Sequence, residues 1–265
     1  AQMAADCLDT HVDNIVVYGV DTDISPYDSG SYASSTTYLT GNATIKTCQM
    51  LREKIIAAGA EMLEIDIEDA DFDGEKVYSV KEEKSITLKD IANNVMCYSN
   101  HTLTATAKEK TPVSPPPYMA GAVEIELDKE TGHVEIIDYA TCVDCGTVIN
   151  PALATVQTEG GLVQGIGMAL YEDVQYDKRG RILNDSFMQY KIPTRLDMGK
   201  IRVEYESSYE PSGPFGAKSI GELVINTPSP ALCHAIYNAS GVWINELPMT
   251  SEKIAMGILK NNLEA

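Results

Sequence analysis

Four prolines within ten residues constrain the fold of this chain more than any other feature. They occupy position 112 and positions 115–117 of the segment Lys108–Pro117, which reads KEKTPVSPPP. Proline lacks the backbone N–H that helices and sheets use, so such a run favours an extended connector. The sequence therefore predicts two lobes, at residues 1–110 and 111–265.

The composition excludes several classes of function. The 265 residues carry a net charge of −19, and 44% of them are hydrophobic. An acidic chain repels the phosphates of nucleic acids and anionic lipids, so neither nucleic acid nor membrane is an expected partner. No apolar run reaches the roughly 18 residues that span a bilayer, and the first residues do not have the basic and apolar regions that would suggest secretion. We therefore expect a cytoplasmic protein whose cysteines are reduced.

The chain begins within a predicted element. Ala1–Leu8 already has the spacing of an amphipathic helix, and the first residue is not methionine. We therefore expect a preceding segment that was removed or that lies on another polypeptide.

Helices and strands are both predicted in the first lobe. Apolar residues spaced by three and four predict a helix at Asn42–Ala58, ended by Gly59, and a third helix that Thr87 caps. Runs of β-branched and aromatic residues predict strands at Asn14–Val20, Leu63–Ile67 and Lys76–Val80.

The second lobe opens with a predicted hairpin. Strands at Ala122–Leu127 and His133–Val143 flank the turn Asp128–Gly132. The remaining predicted elements are helices at Pro151–Leu170 and Ser229–Ala239, the latter ended by Gly241, and a strand near Lys200–Tyr205. Because these elements lack the regular strand–helix–strand order of parallel sheets, we predict an α+β fold with mixed sheets and flanking helices.

One close pair of cysteines could suggest a metal site. Cys142 and Cys145 are separated by two residues, but the sequence has no second pair with this spacing. Structural zinc and iron–sulfur sites usually need four ligands. We therefore interpret both cysteines as buried structural thiols.

A loop rich in small hydroxyl side chains is the first candidate site. Residues 25–37 contain seven Ser or Thr residues and Gly30, between a predicted strand and a predicted helix. Free backbone N–H groups and short hydroxyls at such a position can bind a phosphate or another anion. A solvated surface loop has the same composition, so both interpretations stay open here.

The second candidate is a glycine-rich stretch of a predicted helix. Residues 159–167 read EGGLVQGIG, and each interior glycine costs roughly 1 kcal/mol relative to alanine. Such a helix needs close approach of its backbone to a ligand or to another helix. Gln164 is a polar side chain among apolar neighbours here, with both donor and acceptor groups.

The third candidate is a lone carboxylate. Glu222 lies in residues 213–225 (GPFGAKSIGELVI), an apolar run between glycines. If it is buried, loss of water disfavours its charged form and makes it a candidate general base. The alternatives are an exposed loop residue or an ion-pair partner for Lys218.

Taken in order, these stretches resemble the xanthine oxidase family of molybdenum hydroxylases through nearly the whole chain. The segments that carry the resemblance are AQMAADCLDTHVDNIVVYGVDTD, SPYDSGSYASSTTYLTGNA, YMAGAVEIELDKETGHVEIIDYATCVDCGTVINP, EGGLVQGIGMALYEDVQYD, MQYKIPT and GAKSIGE. The resemblance implies the C-terminal part of the molybdopterin-binding portion of such an enzyme.

The resemblance also implies roles for individual residues. Glu222 matches the active-site base, and Gln164 matches a glutamine that hydrogen-bonds the pterin cofactor. Ala33, Ser34, Ser35 and Thr36 match the loop that contacts the cofactor beside the metal. Tyr32 matches a position facing the substrate; xanthine-type members have a small residue there, whereas tyrosine recurs in other branches. Ser35 replaces an arginine that is common in those branches.

The implied cofactor is molybdenum bound to molybdopterin, in the cytosine dinucleotide form, with 2Fe-2S clusters and FAD on partner subunits. The implied reaction is hydroxylation of a nitrogen heterocycle, nicotinate-like or xanthine-like, with oxygen from water. Aldehyde oxidation, hydroxybenzoyl-CoA-type reduction and a non-catalytic assembly subunit are the alternatives. Part of the family's site lies upstream of this chain, so the resemblance implies a fragment, or a subunit of a split enzyme like nicotinate dehydrogenase, that needs an upstream molybdopterin-binding partner.

Overall fold

A computed structural model describes residues 1–19, 21–25, 27–28, 30–99, 102–110 and 113–264. The chain divides into two compact units, Ala1–Ser114 with Glu210–Ala217 and Pro115–Tyr209 with Lys218–Ala265. Helices and sheets occur in both units, which confirms the predicted α+β class. Among the described residues, no helix has the length and apolar character needed to cross a lipid bilayer.

The first unit packs helices against a small antiparallel sheet. Its elements are α1 (Gln2–Cys7), α2 (Thr36–Leu63), β1 (Ala70–Phe72), β2 (Lys76–Ser79), β3 (Ser85–Thr87) and α3 (Leu88–Tyr98). The strands lie in the order β1-β2-β3. Ile55 of α2, Phe72 and Val77 of the sheet, and Ile91 and Val95 of α3 form the core. As predicted, Thr87 caps α3, and its Oγ1 accepts a hydrogen bond from the Asp90 backbone N–H at 3.1 Å.

Two predicted strands in this unit are wrong. Val12–Asn14 forms a 3-10 turn and residues 15–19 have no regular structure, whereas Val20 lies outside the described residues. The predicted strand Leu63–Ile67 contains the end of α2, where Glu64 adopts a left-handed conformation. Apolar and β-branched residues alone do not make either segment a strand. A strand also needs a hydrogen-bonded neighbouring strand, and neither segment pairs with one among the described residues.

Helix α2 is longer than predicted at both ends, since it begins at Thr36 and continues beyond Gly59. The sequence placed the helix end at Gly59, but α2 continues to Leu63. A Cβ atom on Gly59 would lie 2.6 Å from Cβ of Val77, a fully buried residue of β2. Because Gly59 has no side chain, Val77 of the sheet can pack directly on the helix backbone. The glycine does not end the helix.

The segment Glu210–Ala217 belongs to the first unit, although the predicted division at residue 110 assigned it to the second lobe. The hydroxyl of Tyr38 donates to Ser212 Oγ at 2.8 Å, and Asn42 Nδ2 donates to the Ser212 carbonyl at 3.1 Å. Pro214 packs so closely on α2 that a Cβ on Gly41 would lie 2.5 Å from its Cγ. The first turns of α2 thus hold the start of the GPFGAKSIGE motif.

The second unit surrounds a mixed sheet. Its elements are β4 (Tyr118–Leu127), β5 (Val134–Asp144), α4 (Pro151–Leu170), β6 (Lys200–Tyr205), α5 (Pro228–Ser240) and α6 (Ser251–Glu264). β4 and β5 are antiparallel, and β6 joins β5 in parallel. Tyr139 of β5, Leu162 and Ile166 of α4, and Leu232 and Ile236 of α5 lie in one buried cluster. The predicted hairpin, strand and both helices are confirmed, with Gly241 left-handed after α5.

We predict that Gly59→Ala destabilises the first unit. The added methyl group would meet Val77 at a distance that real side chains do not tolerate, and such overpacking costs about 1–3 kcal/mol. Denaturant unfolding followed by circular dichroism measures the loss. Glu53→Ala, on an exposed position of the same helix, is the control and should change stability by less than about 0.5 kcal/mol. Equal stability of the two variants would contradict the assigned role of Gly59.

Candidate functional site

The Ser/Thr-rich loop enters α2 through a strained backbone. Ala33 and Ser34 both have positive φ values, 48° and 51°. Residues other than glycine rarely adopt this conformation, and it is concentrated at ligand-binding and active sites. Two consecutive residues with this conformation just before a helix indicate that the backbone of this loop is a candidate for contact with a ligand.

The start of α2 lacks a side-chain cap. Ser35 is the cap residue, but its side chain makes no capping hydrogen bond to the helix. Its hydroxyl instead donates to the backbone carbonyl of Tyr32 at 2.6 Å. The first backbone N–H groups of a helix have no partner within the helix and attract negative charge. The Tyr32 side chain is 65% exposed, so a ligand bound here could contact it.

Two glycines of α4 pack against the segment that follows Glu222. A Cβ on Gly161 would collide with the side chain of Val224, and a Cβ on Gly165 would lie 2.8 Å from the Ile225 carbonyl oxygen. Val224 is 1% exposed. The predicted close approach is therefore confirmed, and its partner is another part of this chain.

Gln164 lies on α4 three residues after Gly161 and directly before Gly165. Its side chain is exposed. It forms no hydrogen bond within the part of the chain that the structure describes, so both amide groups can serve a ligand. Contacts of Gly161 and Gly165 bring its helix against the 3-10 turn Leu223–Ile225, directly after Glu222.

The burial that the sequence left open for Glu222 does not occur in this chain, and its side chain is exposed. Glu222 caps the 3-10 turn Leu223–Ile225. In that turn Val224 contacts Gly161 of α4 and is buried, whereas Glu222, two residues earlier, is exposed. The apolar residues next to Glu222 in the sequence do not bury its side chain. The contact with Gly161 of α4 buries the side chain of Val224 instead.

The start of the Glu222 segment is held by an ion pair between buried Lys218 and partly exposed Asp144. Lys218 is 9% exposed, and its Nζ lies 2.7 Å from Asp144 Oδ2 at the end of β5. The Lys218 backbone N–H donates to the Cys145 carbonyl at 2.7 Å. Its Nζ also lies 5.2 Å from the centroid of the Tyr118 ring, within cation–π range. Gln157 Nε2 of α4 donates to the Gly221 carbonyl at 3.1 Å. The residues on both sides of Glu222 are thus anchored.

The carboxylate of Asp144 has its charge well compensated. Besides the Lys218 ammonium, it accepts hydrogen bonds from Ser208 Oγ at 2.5 Å and from the Gly146 backbone N–H at 3.1 Å. Burial alone would raise the pKa of Asp144, but the Lys218 and Ser208 hydrogen bonds outweigh it and hold that pKa below the usual range. Asp144 is therefore ionised in the folded protein near neutral pH.

The cysteine pair is only partly as predicted. Cys145 is buried, and burial raises the pKa of its thiol, but Cys142 is exposed on β5. Successive side chains of a strand point to opposite faces, and the three-residue spacing places these two cysteines on different sides. No group of three or more His, Cys, Asp or Glu residues suitable for a metal ion occurs among the residues that the structure describes.

The structure places the candidate residues in two groups. Tyr32, Ala33, Ser34, Ser35 and Thr36 lie together in the first unit, and Gln164 and Glu222 lie on packed segments of the second. The Lys218–Asp144 pair was not predicted. Its partners are 74 residues apart, and no local sequence signal connects them.

A family model described as a molybdopterin cofactor-binding domain matches residues 1–199. The chain is 33% identical over 264 residues to a probable hypoxanthine oxidase, XdhD, of Escherichia coli K12, covering 98% of this chain and 27% of that protein. It is 34% identical over 263 residues to the gamma subunit of the 6-hydroxypseudooxynicotine dehydrogenase complex of Paenarthrobacter nicotinovorans, covering 96% and 33%.

Solved structures show the same likeness in three dimensions. Reconstituted CO dehydrogenase from Oligotropha carboxidovorans superposes with a TM-score of 0.85 at 26% identity, covering 99% of this chain and 34% of that one. Quinoline 2-oxidoreductase from Pseudomonas putida 86 gives 0.85 at 26%, covering 97% and 34%. The chain belongs to the molybdenum hydroxylase family. It spans about a third of the length of the relatives it matches.

The residues present fit the molybdopterin cofactor of this family. The strained Ala33–Ser34 backbone and the uncapped start of α2 offer N–H groups to an anionic group. The exposed amide of Gln164 can pair with the donors and acceptors of a pterin ring. In this family a pterin holds the metal, so the fit requires no protein ligand to molybdenum.

We predict opposite effects for alanine at two adjacent glycines of α4. Gly161→Ala should destabilise the protein by about 1–3 kcal/mol, because its methyl group collides with Val224. Gly160→Ala is the matched control: no atom lies within 4 Å of its added Cβ, and higher helix propensity should add about 0.5–1 kcal/mol. Denaturant unfolding measures both. Equal effects would show that Val224 is not seated on Gly161.

We predict that Asp144→Asn destabilises the fold in a pH-dependent way. It leaves the buried Lys218 ammonium unpaired, which costs about 3–5 kcal/mol at pH 7. Because the pKa of Asp144 is lower in the folded chain than in the unfolded one, its stabilisation is complete above about pH 4 and is lost as the pH falls through that lowered pKa.

The stability difference between wild type and Asp144→Asn should therefore shrink on acidification, as measured by urea unfolding between pH 7 and pH 3. Asp138→Asn is the control, because its partner Arg202 is 54% exposed and such pairs contribute only about 0–1 kcal/mol. A difference independent of pH would argue against a charged Asp144 in the fold.

Proposed function

We propose that this chain carries the general base and one side of the cofactor site of a molybdenum hydroxylase, and that the assembled enzyme hydroxylates a nitrogen heterocycle with oxygen from water. One observation carries the proposal. Glu222 lies between two fixed points, the Lys218–Asp144 ion pair and the Val224–Gly161 contact. A carboxylate supported in this way suits a reaction that needs a proton acceptor at a defined position.

The cofactor proposed is molybdenum bound to molybdopterin in its cytosine dinucleotide form, which supplies the two-electron oxidation when bound. The backbone N–H groups at Ala33, Ser34 and the start of α2 would bind its anionic groups, and Gln164 would orient the pterin by hydrogen bonds. Tyr32, exposed beside this loop, would contact the substrate.

Glu222 would act as the base only after another surface covers it. Its side chain is exposed to water in this chain. The chain spans 27% and 33% of two curated relatives. We propose that the corresponding remainder, on a partner polypeptide or elsewhere in a longer chain, removes this water and completes the site.

The substrate class is proposed from the names of several relatives. The names of three of them contain a nitrogen heterocycle: the probable hypoxanthine oxidase, nicotine 6-hydroxylase large subunit of Paenarthrobacter nicotinovorans at 30% identity, and quinoline 2-oxidoreductase. In such rings the carbon beside nitrogen is electron-poor and accepts a nucleophile. The partners proposed are the upstream molybdopterin-binding part and subunits with 2Fe-2S clusters and FAD.

We predict that Glu222→Gln strongly lowers turnover and leaves the cofactor bound. In the assembled enzyme, kcat should fall by about 100- to 10,000-fold, which is the contribution of a general base. Molybdenum content, measured by mass spectrometry of the metal, should stay within twofold of wild type. Glu204→Gln, an exposed glutamate on β6, is the matched control and should retain full activity.

The same assay distinguishes the alternative activities. Nicotinate, xanthine, an aldehyde and 4-hydroxybenzoyl-CoA are supplied in turn, and heterocycle turnover is repeated in ¹⁸O-labelled water. Label in a hydroxylated heterocycle supports the proposal. Turnover only of the aldehyde or the thioester would replace the substrate class, and unchanged turnover of Glu222→Gln with bound molybdenum would favour a non-catalytic assembly role for this chain.

A further inference from the structure

The chain exposes more surface than a self-contained protein of its size. Its accessible surface is 17,070 Å² for a mass of 28.8 kDa. A compact monomer of that mass exposes about 11,300 Å², and two separate compact domains of half the mass would together expose about 13,700 Å². The excess over two separate domains is roughly 3,400 Å², whereas a standard protein–protein interface uses about 800 Å² of each partner.

Part of this surface belongs to the connection between α4 and β6, residues 171–199. Its only regular structure is an isolated bridge between Tyr176 and Ile182 and the 3-10 turn Arg195–Asp197. Connections between a helix and a strand usually have about 2–6 residues, and much longer ones are usually functional or disordered. This connection therefore needs a reason for its length.

The connection places its apolar side chains outward. Phe187 is 85% exposed, Met188 86% and Leu196 97%. Ile182, Leu183 and Ile192 are also exposed, at 47%, 55% and 49%. Single exposed apolar residues are normal on a soluble protein, but six within 15 consecutive residues, 182–196, are typical of a surface that another chain covers.

Polar side chains hold the same connection in place. The Tyr190 hydroxyl donates to Glu172 Oε2 at 2.8 Å, and Asn184 Nδ2 donates to the Asp173 carbonyl at 2.6 Å. Thr194 and Asp197 form a reciprocal capping box. The conformation is thus fixed by hydrogen bonds, and its apolar side chains are not needed for that purpose. A fixed loop loses little conformational entropy when a partner binds.

Charge argues against a second copy of this chain as the partner. The chain carries a net charge of −19, so two copies repel each other. Within the connection acidic and basic residues balance, with Glu172, Asp173, Asp177, Asp185 and Asp197 against Lys178, Arg179, Arg181, Lys191 and Arg195. A neutral segment of an acidic protein is a suitable place for apolar contact.

We propose that the apolar side chains of the α4–β6 connection, centred on Phe187, Met188 and Leu196, dock the polypeptide that supplies the remaining molybdopterin-binding part of the enzyme. The proposal rests on the proposed function. The expected partner has an uncharged apolar surface and about twice the length of this chain, since the chain is a third of the relatives' length.

The test uses the tagged full chain expressed in its own organism and purified under native conditions. Wild type should co-purify a stoichiometric polypeptide whose sequence contains the missing molybdopterin-binding part, and cross-links should join it to residues 182–196. The triple variant Phe187→Ser/Met188→Ser/Leu196→Ser should retain less than a tenth of that partner. Its thermal unfolding should match wild type, because the three side chains are at least 85% exposed.

Met96→Ser/Tyr98→Ser is the matched control, since these side chains are 84% and 86% exposed in the first unit, and it should keep the partner. The proposal is overturned if the triple variant also keeps it, if the control loses it equally, or if wild type yields no partner. It is also overturned if wild type forms a dimer that the triple variant does not, because the partner is then a second copy.

Failure of the proposed function gives a different result. If the triple variant loses a stoichiometric partner that contains no molybdopterin-binding part, the connection is a docking surface, but the enzyme assigned above is wrong. If instead the partner contains that part and the assembled enzyme is active, but cross-links avoid residues 182–196 and the triple variant assembles normally, the function stands and the docking surface is wrong.

Discussion

The contact of Val224 with Gly161 determines how this chain presents its candidate base. A side chain at position 161 would displace Val224, and with it the turn that begins at Glu222. The glycines of α4 lower the helix propensity of that segment, so the close contact must offset their cost. On the other side, the Lys218–Asp144 pair holds the start of the same segment against β5. The position of the Glu222 carboxylate therefore depends on the close contact at Gly161 and on the Lys218–Asp144 ion pair.

The exposure of Glu222 and the large accessible surface point to the same conclusion. Glu222, the proposed base, is exposed on this chain, and the chain exposes 17,070 Å². Both are expected of one part of a larger molybdenum hydroxylase, in which other parts cover the site. The cofactor-loop residues lie in the first unit, and Glu222 lies in the second.

Capping residues and residue spacing predicted the helices, because a helix forms its hydrogen bonds within one segment of the chain. The capped helix α3 and the glycine-ended helix α5 follow from end signals in the sequence, and α4 follows from its helical pattern. The segment 14–19 and the region after Leu63 were predicted wrongly, because strand formation depends on a neighbouring strand that a sequence pattern does not reveal. Gly59 was misread as a helix end since its role is contact with Val77 across the unit.

The sequence by itself determined the α+β class, most helices, the family and the identity of the candidate residues, because these depend on residue types in a fixed order. The tertiary structure alone decided which side chains point inward. It exposed Glu222 by burying Val224, paired Lys218 with Asp144 across 74 residues, and turned Phe187, Met188 and Leu196 outward. Such outcomes follow from packing between segments distant in the chain, and packing is a property of the folded molecule and not of any one segment.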